Sequence, residues 1–153
     1  MGAAIEVNIS EVEKLAQKLN SFILSGGDTT RLLNSIGLVI EEQTKDRIEF
    51  TKKNPDGGRW DPWKLSTLRY LRKHKRFKKA TLLNRSPAEG LLNSIEFRTK
   101  GRDSVIVGSS KEYAGYHQSG TRKMAARKFL GFGVTDIAEL QDAVALFMMR
   151  HVS

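Results

Sequence analysis

Two stretches of alternating apolar and polar residues near the middle of the chain constrain its fold most strongly. The alternation covers residues 95–99 (IEFRT) and resumes with Val105 and Val107, and the polar turn KGRD at 100–103 separates the two stretches. Alternation of period two on both sides of a short turn is typical of a β-hairpin with one apolar face. We therefore predict an antiparallel β-hairpin or small sheet at the centre of the fold, ending at Gly108.

Helical periodicity occurs on both sides of this hairpin. Ser10 and Glu13 fit a helix capping box, and apolar residues recur at helical spacing from there to the glycine pair at 26–27. The same spacing resumes over residues 29–50 and again over 137–148. These patterns predict an N-terminal helical hairpin and a C-terminal helix. Together with the central strands they define an α+β fold.

A strongly basic segment interrupts this regular pattern. From Lys52 to Arg85 the chain has twelve Lys and Arg and two acidic residues, a net charge of +10. The rest of the 153 residues include fourteen basic and fifteen acidic residues, a net charge of −1. The turn NPDGG opens the segment, and basic residues with interleaved leucines follow. We predict one domain over 1–153, in which residues 52–88 form either a basic helix or a flexible, poorly ordered arm.

The sequence contains no recognisable arrangement of catalytic or metal-binding residues. Cysteine is absent, which removes disulfides, thiolate metal ligands and cysteine nucleophiles. His117 is the histidine that lies within regular pattern, and Glu112, five positions earlier, would lie on a different face of a helix. There is also no HExxH motif, phosphate-binding glycine loop or nucleophile elbow. We predict a protein that is not an enzyme and needs no cofactor or metal ion.

The basic segment also allows a function in nucleic-acid binding. Its cations are interleaved with aromatic residues; cations contact phosphates, and aromatic rings stack on bases. The candidate interaction residues are Trp60, Trp63, Arg69, Arg72, Lys73, Lys75, Arg76, Lys78 and Lys79. The alternative is a solvated arm, or one that contacts an acidic protein partner. Because no helix-turn-helix, zinc module or aromatic RNA-binding motif accompanies the segment, nucleic-acid binding is the second hypothesis.

The two tryptophans allow two interpretations. Trp60 and Trp63 follow the double glycine at 57–58 closely in the chain. Either they anchor the basic segment to the core of the same chain, or they fill a pocket on a neighbouring subunit. Trp is enriched at the centres of interfaces, and for a chain that assembles we favour the second interpretation.

Four blocks between residues 47 and 148 carry the most specific signal. They are RIEFTKKNPDGGRWDPWKLSTLRY, LLNSIEF, VIVGSSKEYAGYHQSGT and ARKFLGF. In this order they resemble the phage virion morphogenesis family, the tail-completion and neck proteins of Mu-like contractile-tailed phages and prophages. The third block is similar to the family's Tyr-Ala-x-x-His-Gln-x-Gly, and the fourth to its Pro-Ala-Arg-x-Phe-Leu-Gly. The chain departs from the family at Ala125, where proline is usual, and at the longer stretch 86–90.

The last two blocks contain the residues to which we assign structural roles. These are Tyr113, His117, Gly120, Arg127, Phe129, Leu130 and Gly131. Because Tyr113 and His117 are four positions apart, they share a helical face and can pack and hydrogen-bond together. Gly120 is expected to permit the left-handed turn that ends this helix, and Arg127 to be a fixed cation. Phe129 and the residue after it are expected to enter the core before a close approach of the backbone.

By this resemblance the protein is a structural component at the head–tail junction, acting in tail completion, as a tail terminator or in the neck. Its expected partners are other virion proteins and further copies of the chain in a homo-oligomeric ring, with a monomer in isolation as an alternative. The charge of the basic segment also allows weak, non-specific DNA contact. The expected location is the virion and, during assembly, the host cytoplasm. No apolar run approaches the ~20 residues of a membrane span, and no secretory signal is apparent.

Overall fold

The computed structural model describes residues 2–8, 17, 29–75, 79–84, 90–102 and 104–151. Except for Gln17, the predicted first helix of the N-terminal hairpin lies outside these residues, as do Arg76 and Lys78 of the basic segment. The elements within the described residues are β1 (Ala3–Asn8), α1 (Thr29–Asp46), α2 (Leu65–Lys73), α3 (Leu91–Ser94), β2 (Ile95–Lys100), β3 (Ser104–Ser109), α4 (Tyr113–Ser119) and α5 (Val134–His151).

The three strands form one antiparallel sheet in the order β1-β3-β2. The predicted hairpin is confirmed, because β2 pairs with β3 and Phe97 lies opposite Val107. On the other side of β3, the extended start of the chain pairs as β1, with Val7 opposite Val105. Side chains alternate along a strand, so the odd-numbered residues of all three strands share one face. Val105 and Val107 on this face are fully buried.

Helix α1 packs across β2 and β3, and α5 packs against α1. The buried apolar residues of α1 recur at helical spacing, at Leu32, Leu33, Ile36 and Ile40. At Gly37 the helix comes so close to the sheet that an added Cβ would lie 2.2 Å from a ring carbon of Phe97. From α5, Leu140 and Val144 complete the core. Helices packed with a three-stranded antiparallel sheet confirm the predicted α+β class.

Helix α1 ends close to its predicted position, but its last turn is wider than an α-helical turn. Residues Arg47–Thr51 form a π-helical turn, and Lys52 then has a left-handed backbone with φ of 55°. The Lys52 amine donates hydrogen bonds to the Ile48 carbonyl, to the Thr81 hydroxyl at 2.8 Å and to the Leu82 carbonyl at 2.8 Å. These bonds join the beginning of the basic segment to a point near its end.

Candidate assembly site

Helix α4 carries the aromatic pair that the sequence indicated. The ring centroids of Tyr113 and His117 are 5.9 Å apart and the rings meet edge to face at 80°, a favourable geometry for two aromatic rings. Burial raises the pKa of Tyr113. Gly120 follows the helix with φ of 75°, and its amide donates to the Tyr116 carbonyl at 2.8 Å. A Cβ at Gly120 would lie 2.8 Å from the Ala126 nitrogen, so both the backbone and the space require glycine here.

Gln118, also on α4, holds the backbone of the FLG motif, which is Phe129, Leu130 and Gly131. Its side-chain oxygen accepts hydrogen bonds from the amides of Phe129 and Leu130, both at 3.1 Å. Its side-chain nitrogen donates to the Leu130 carbonyl at 3.0 Å. Phe129 and Leu130 are 0% and 3% exposed, so these backbone groups have little access to water and need protein partners. Gln118 lies in the third sequence block, next to His117, but the sequence alone did not indicate its role. Its position within that block was the one sign that it is important.

Arg127, which lies between α4 and the FLG motif, attaches the basic segment to this part of the chain. Its backbone amide donates to the His117 carbonyl at 2.7 Å, and its guanidinium donates to the carbonyls of Asp61 at 2.9 Å and Pro62 at 3.1 Å. Arg127 is buried; this burial lowers the pKa of its guanidinium, and the nearby Asp61 carboxylate raises it by a smaller amount. Arginine stays charged in proteins. Arg127 is therefore a fixed cation that holds two carbonyls of the segment.

Trp60 provides a second attachment of the basic segment. Its side chain is 5% exposed, and its indole N–H donates to the Lys128 carbonyl at 3.1 Å. Its amide also donates to the Lys52 carbonyl at 3.1 Å. Trp60 thus packs in the core of its own chain, which is the anchoring interpretation and not the interface that we favoured from the sequence. Trp63 is half-buried, and its role in assembly stays a prediction.

Close backbone contact joins the same segment to the FLG motif. Gly131 has φ of 138°, and a Cβ there would lie 3.0 Å from the Pro55 side chain. At Gly133 a Cβ would lie 1.8 Å from the Pro55 carbonyl oxygen. The turn that opens the basic segment therefore lies directly against the chain that leads into α5.

An ion pair that the sequence analysis missed joins the ends of the two long helices. Arg47 donates to the Asp136 carboxylate and, at 3.0 Å, to the Phe129 carbonyl. The same carboxylate accepts the Gly133 amide at 2.8 Å and so caps the start of α5. Gln43 donates to the Asp136 carbonyl at 3.0 Å. Arg47 and Asp136 are 89 positions apart, and no spacing rule relates residues so distant, so the sequence carried no signal for the pair.

Helix α2 follows these attachments and lies exposed on the surface. None of its nine residues is buried, and Leu65 and Tyr70 are 71% and 41% exposed. Lys64, just before the helix, donates to the Lys123 carbonyl at 2.6 Å. The described cations of the predicted interaction set are all exposed, at Arg69, Arg72, Lys73, Lys75 and Lys79. The predicted flexibility of residues 52–88 as a whole stays a prediction.

The site therefore consists of an exposed basic helix and of side-chain hydrogen bonds to backbone carbonyls that hold the residues just before it. The side chains that donate these bonds are Trp60, Lys64 and Arg127. The described part of the chain contains no group of three or more side chains placed to hold a metal ion. In the same residues no helix is both long enough and apolar enough to span a membrane. A helix of exposed cations and apolar side chains can bind another macromolecule through complementary charge and shape.

The chain belongs to the phage virion morphogenesis family, whose sequence profile matches residues 7–148. This match includes the hairpin, the basic segment, α4 and the FLG motif, and it confirms the resemblance seen in the four blocks. One relative is "Mu-like prophage FluMu G protein 1" of Haemophilus influenzae, which is 28% identical over 131 residues, or 84% of this chain and 80% of that protein. No solved structure shows significant similarity to the chain.

Proposed function

We propose that this protein is a structural component at the head–tail junction of a phage particle, acting in tail completion, as a tail terminator or in the neck. Membership of the virion morphogenesis family and the Mu-like prophage relative support a role in particle assembly. The observation that carries the proposal is helix α2, which is fixed by hydrogen bonds at its start and yet buries none of its residues. Such a helix is a binding surface. The protein therefore works by association with other virion proteins and not by catalysis.

The proposal includes a homo-oligomeric ring. Contacts between two different surfaces of identical subunits close into a ring when the rotation between neighbours permits it. Each contact needs to bury on the order of 800 Å² per partner. The isolated chain is monomeric or weakly associated, and the ring forms in the virion or on its precursors in the host cytoplasm.

Electron microscopy of particles made with and without the gene tests this function. We expect full heads beside unattached or over-long tails when the gene is removed. Over-long tails would identify a tail terminator, whereas unattached tails of normal length would identify a neck or completion protein. Intact, joined particles in the absence of the gene would overturn the proposal.

A complementation assay tests the contribution of helix α2. The variant Arg69→Ala with Arg72→Ala removes two exposed cations from the helix. The control Arg98→Ala with Arg102→Ala removes two exposed cations from strand β2 and the turn that follows it. Both variants change the net charge equally. We expect only the α2 variant to lower the yield of infectious particles. Equal yields from both variants would exclude α2 as the binding surface.

The exposed cations of α2 also favour a second function, contact with nucleic acid. Each phosphate contact lowers the logarithm of affinity for duplex DNA by about 0.9 per tenfold increase in salt. Three contacts would therefore weaken binding by roughly 40-fold between 50 and 200 mM salt. Fluorescence anisotropy with a labelled duplex measures this dependence. Binding that persists at 200 mM salt would favour a dedicated nucleic-acid function, and its loss there would leave only weak, non-specific DNA contact.

A further inference from the structure

Helix α1 and the π-helical turn after it expose a row of side chains that is negatively charged, whereas α2 is positively charged. We call it the α1 stripe, and its five exposed members are Leu38, Glu42, Asp46, Glu49 and Phe50. Steps of four, four and three positions place the first four on one helical face, and Phe50 follows at the end. Leu38 and Phe50 are 49% and 69% exposed. The stripe therefore combines three carboxylates with a large apolar side chain at each end.

The nearest cations of α1 are engaged elsewhere. Lys45 pairs with Glu41 at 2.6 Å. Arg47 is buried and pairs with Asp136. Glu49 interacts electrostatically with the Lys52 ammonium. Among the described residues Glu42 and Asp46 form no ion pair, so the α1 stripe keeps its negative character at these two carboxylates.

Helix α2 exposes a stripe with the matching pattern. We call it the α2 stripe, and its members are Leu65, Arg69, Arg72 and Lys73. Leu65 lies one helical turn before Arg69, and the three cations occupy the following turn of the helix. At about 1.5 Å per residue, Leu65 and Arg69 are about 6 Å apart along the axis, as are Phe50 and Asp46 in an α-helical approximation. The two stripes therefore have the same spacing between their apolar and charged positions.

We propose that the α2 stripe of one copy binds antiparallel along the α1 stripe of a second copy. Leu65 then lies against Phe50, Arg69 against Asp46, and the cations at the end of α2 against Glu42. The antiparallel direction also places the positive N-terminal end of α2 beside the negative C-terminal end of the neighbour's helix. Because the two stripes are different surfaces, the contact is head-to-tail and can repeat around a ring. This inference rests on the proposed ring and identifies the partner of α2 as another copy of the chain.

Charge exchange tests the pairing directly. Arg72→Glu and Glu42→Arg each place like charges opposite one another, and combining both changes in one chain restores an opposite-charge pair. All these positions are exposed, and circular dichroism with thermal unfolding checks that each variant is folded. We expect each single change to weaken self-association of the full-length chain and infectious yield by roughly tenfold or more, and the double change to restore both. The control Lys111→Glu reverses an exposed charge outside both stripes and should have no effect.

Disulfide trapping tests the geometry independently of charge. The chain has no cysteine, so Thr51→Cys and Ser66→Cys each introduce a single thiol, beside Phe50 and Leu65 respectively. The two variants are mixed and oxidised, both as purified protein at ~10 µM and in particles from complemented cells. Thiols held in contact react at an effective concentration on the order of mM, so cross-linking should be roughly a hundredfold faster than between Ser66→Cys and the control Ser110→Cys.

The outcomes separate this inference from the proposed function. Cross-linking between 51 and 66 with rescue by the double charge exchange supports the contact. No preferential cross-link in either sample, or no rescue, overturns it and leaves α2 for a different virion protein or for nucleic acid. If particles still fail to join without the gene, the proposed function stands although the contact is wrong. If particles join normally without the gene while the copies still cross-link, the proposed function is wrong and the contact stands.

Discussion

The close contact between helix α1 and the sheet makes an unusual prediction about Gly37. In a helix interior, Gly→Ala normally stabilises a protein by about 1 kcal/mol, because alanine has the higher helix propensity. At Gly37, however, an added Cβ would lie 2.2, 2.7 and 2.7 Å from three ring carbons of Phe97. One of these is Cγ, which joins the ring to the chain, so rotation of the ring about its own axis cannot remove the clash. Either the whole ring must turn about χ1 out of its packed position, or the helix or strand β2 must move.

The sign of the effect follows from comparing two magnitudes. Ordinary carbon–carbon contacts are about 3.5–4.0 Å, so the ring or the helix must shift by more than ~1 Å. Overpacking of this kind costs about 1–3 kcal/mol, and the size of the shift places Gly37→Ala at the upper end. After subtraction of the ~1 kcal/mol propensity gain, we expect a net loss of about 2 kcal/mol in the free energy of unfolding.

Gly115 in helix α4 is the matched control. A Cβ there meets its nearest atom, the Gly2 carbonyl oxygen, at 3.7 Å, an ordinary contact. Gly115→Ala should therefore stabilise the protein by up to about 1 kcal/mol. Urea unfolding monitored by circular dichroism at 222 nm measures both variants. The combination of Gly37→Ala with Phe97→Ala should lose less stability than the two separate losses predict, because the clash is absent. A Gly37→Ala protein as stable as the parent would refute the packing of α1 on β2.

Three further predictions follow from the contacts at the site. Gln118→Ala leaves two amides and one carbonyl of the FLG motif without their partner and should cost about 3 kcal/mol in the free energy of unfolding by urea. The control Ser119→Ala changes an exposed neighbour and should alter stability by less than about 0.5 kcal/mol. Equal effects of the two variants would contradict the hydrogen bonds of Gln118. Trp60→Phe loses the indole hydrogen bond and should lower the free energy of unfolding by about 1 kcal/mol. Trp60→Ala also leaves a cavity in the core and should lower it by about 3–5 kcal/mol. A Trp60→Ala protein as stable as the parent would show that the indole is not buried. Burial lowers the pKa of Lys52 from 10.5 to about 8, with Glu49 opposing the shift. Between these values the unfolded chain binds more protons than the folded one, so the contribution of Lys52 makes stability rise with pH from about 8 to 10.5. NMR titration of its ε-methylene should have a midpoint near 8, and an ordinary midpoint near 10.5 would contradict the partial burial of the amine.

Several parts of the fold could be predicted because their signals are local. The hairpin of β2 and β3 follows from period-two alternation, and helix α1 from apolar residues at helical spacing. Ile5 and Val7 alternate with polar residues and so indicate an extended start of the chain, but the alternation does not indicate that this strand pairs with β3. That pairing joins Val7 to Val105, and the choice of a strand's neighbour depends on the packing of the whole domain.

The candidate site was predicted less completely, for the same reason. The Tyr113–His117 pair has a spacing of four and could be predicted from helix geometry. The bonds of Gln118 and the Arg47–Asp136 pair depend on loops and helix ends that come together only after folding. The leucines interleaved with cations in α2 resemble an amphipathic helix with one buried face, yet no residue of that helix is buried.

The sequence by itself determined the family, the α+β class and the position of the basic segment, because these depend on residue types and on spacings within one element. The tertiary structure decided between the alternatives that the sequence left open for Trp60 and for helix α2. It placed Trp60 in the core of its own chain and α2 on the surface, since both depend on how the Arg127 and Trp60 hydrogen bonds hold residues 60–62 against the FLG motif. It also left the three carboxylates of the α1 stripe exposed between Leu38 and Phe50. Whether a side chain is exposed depends on the packing of the whole molecule. A candidate surface for assembly can therefore be recognised only when it is known which residues form the core.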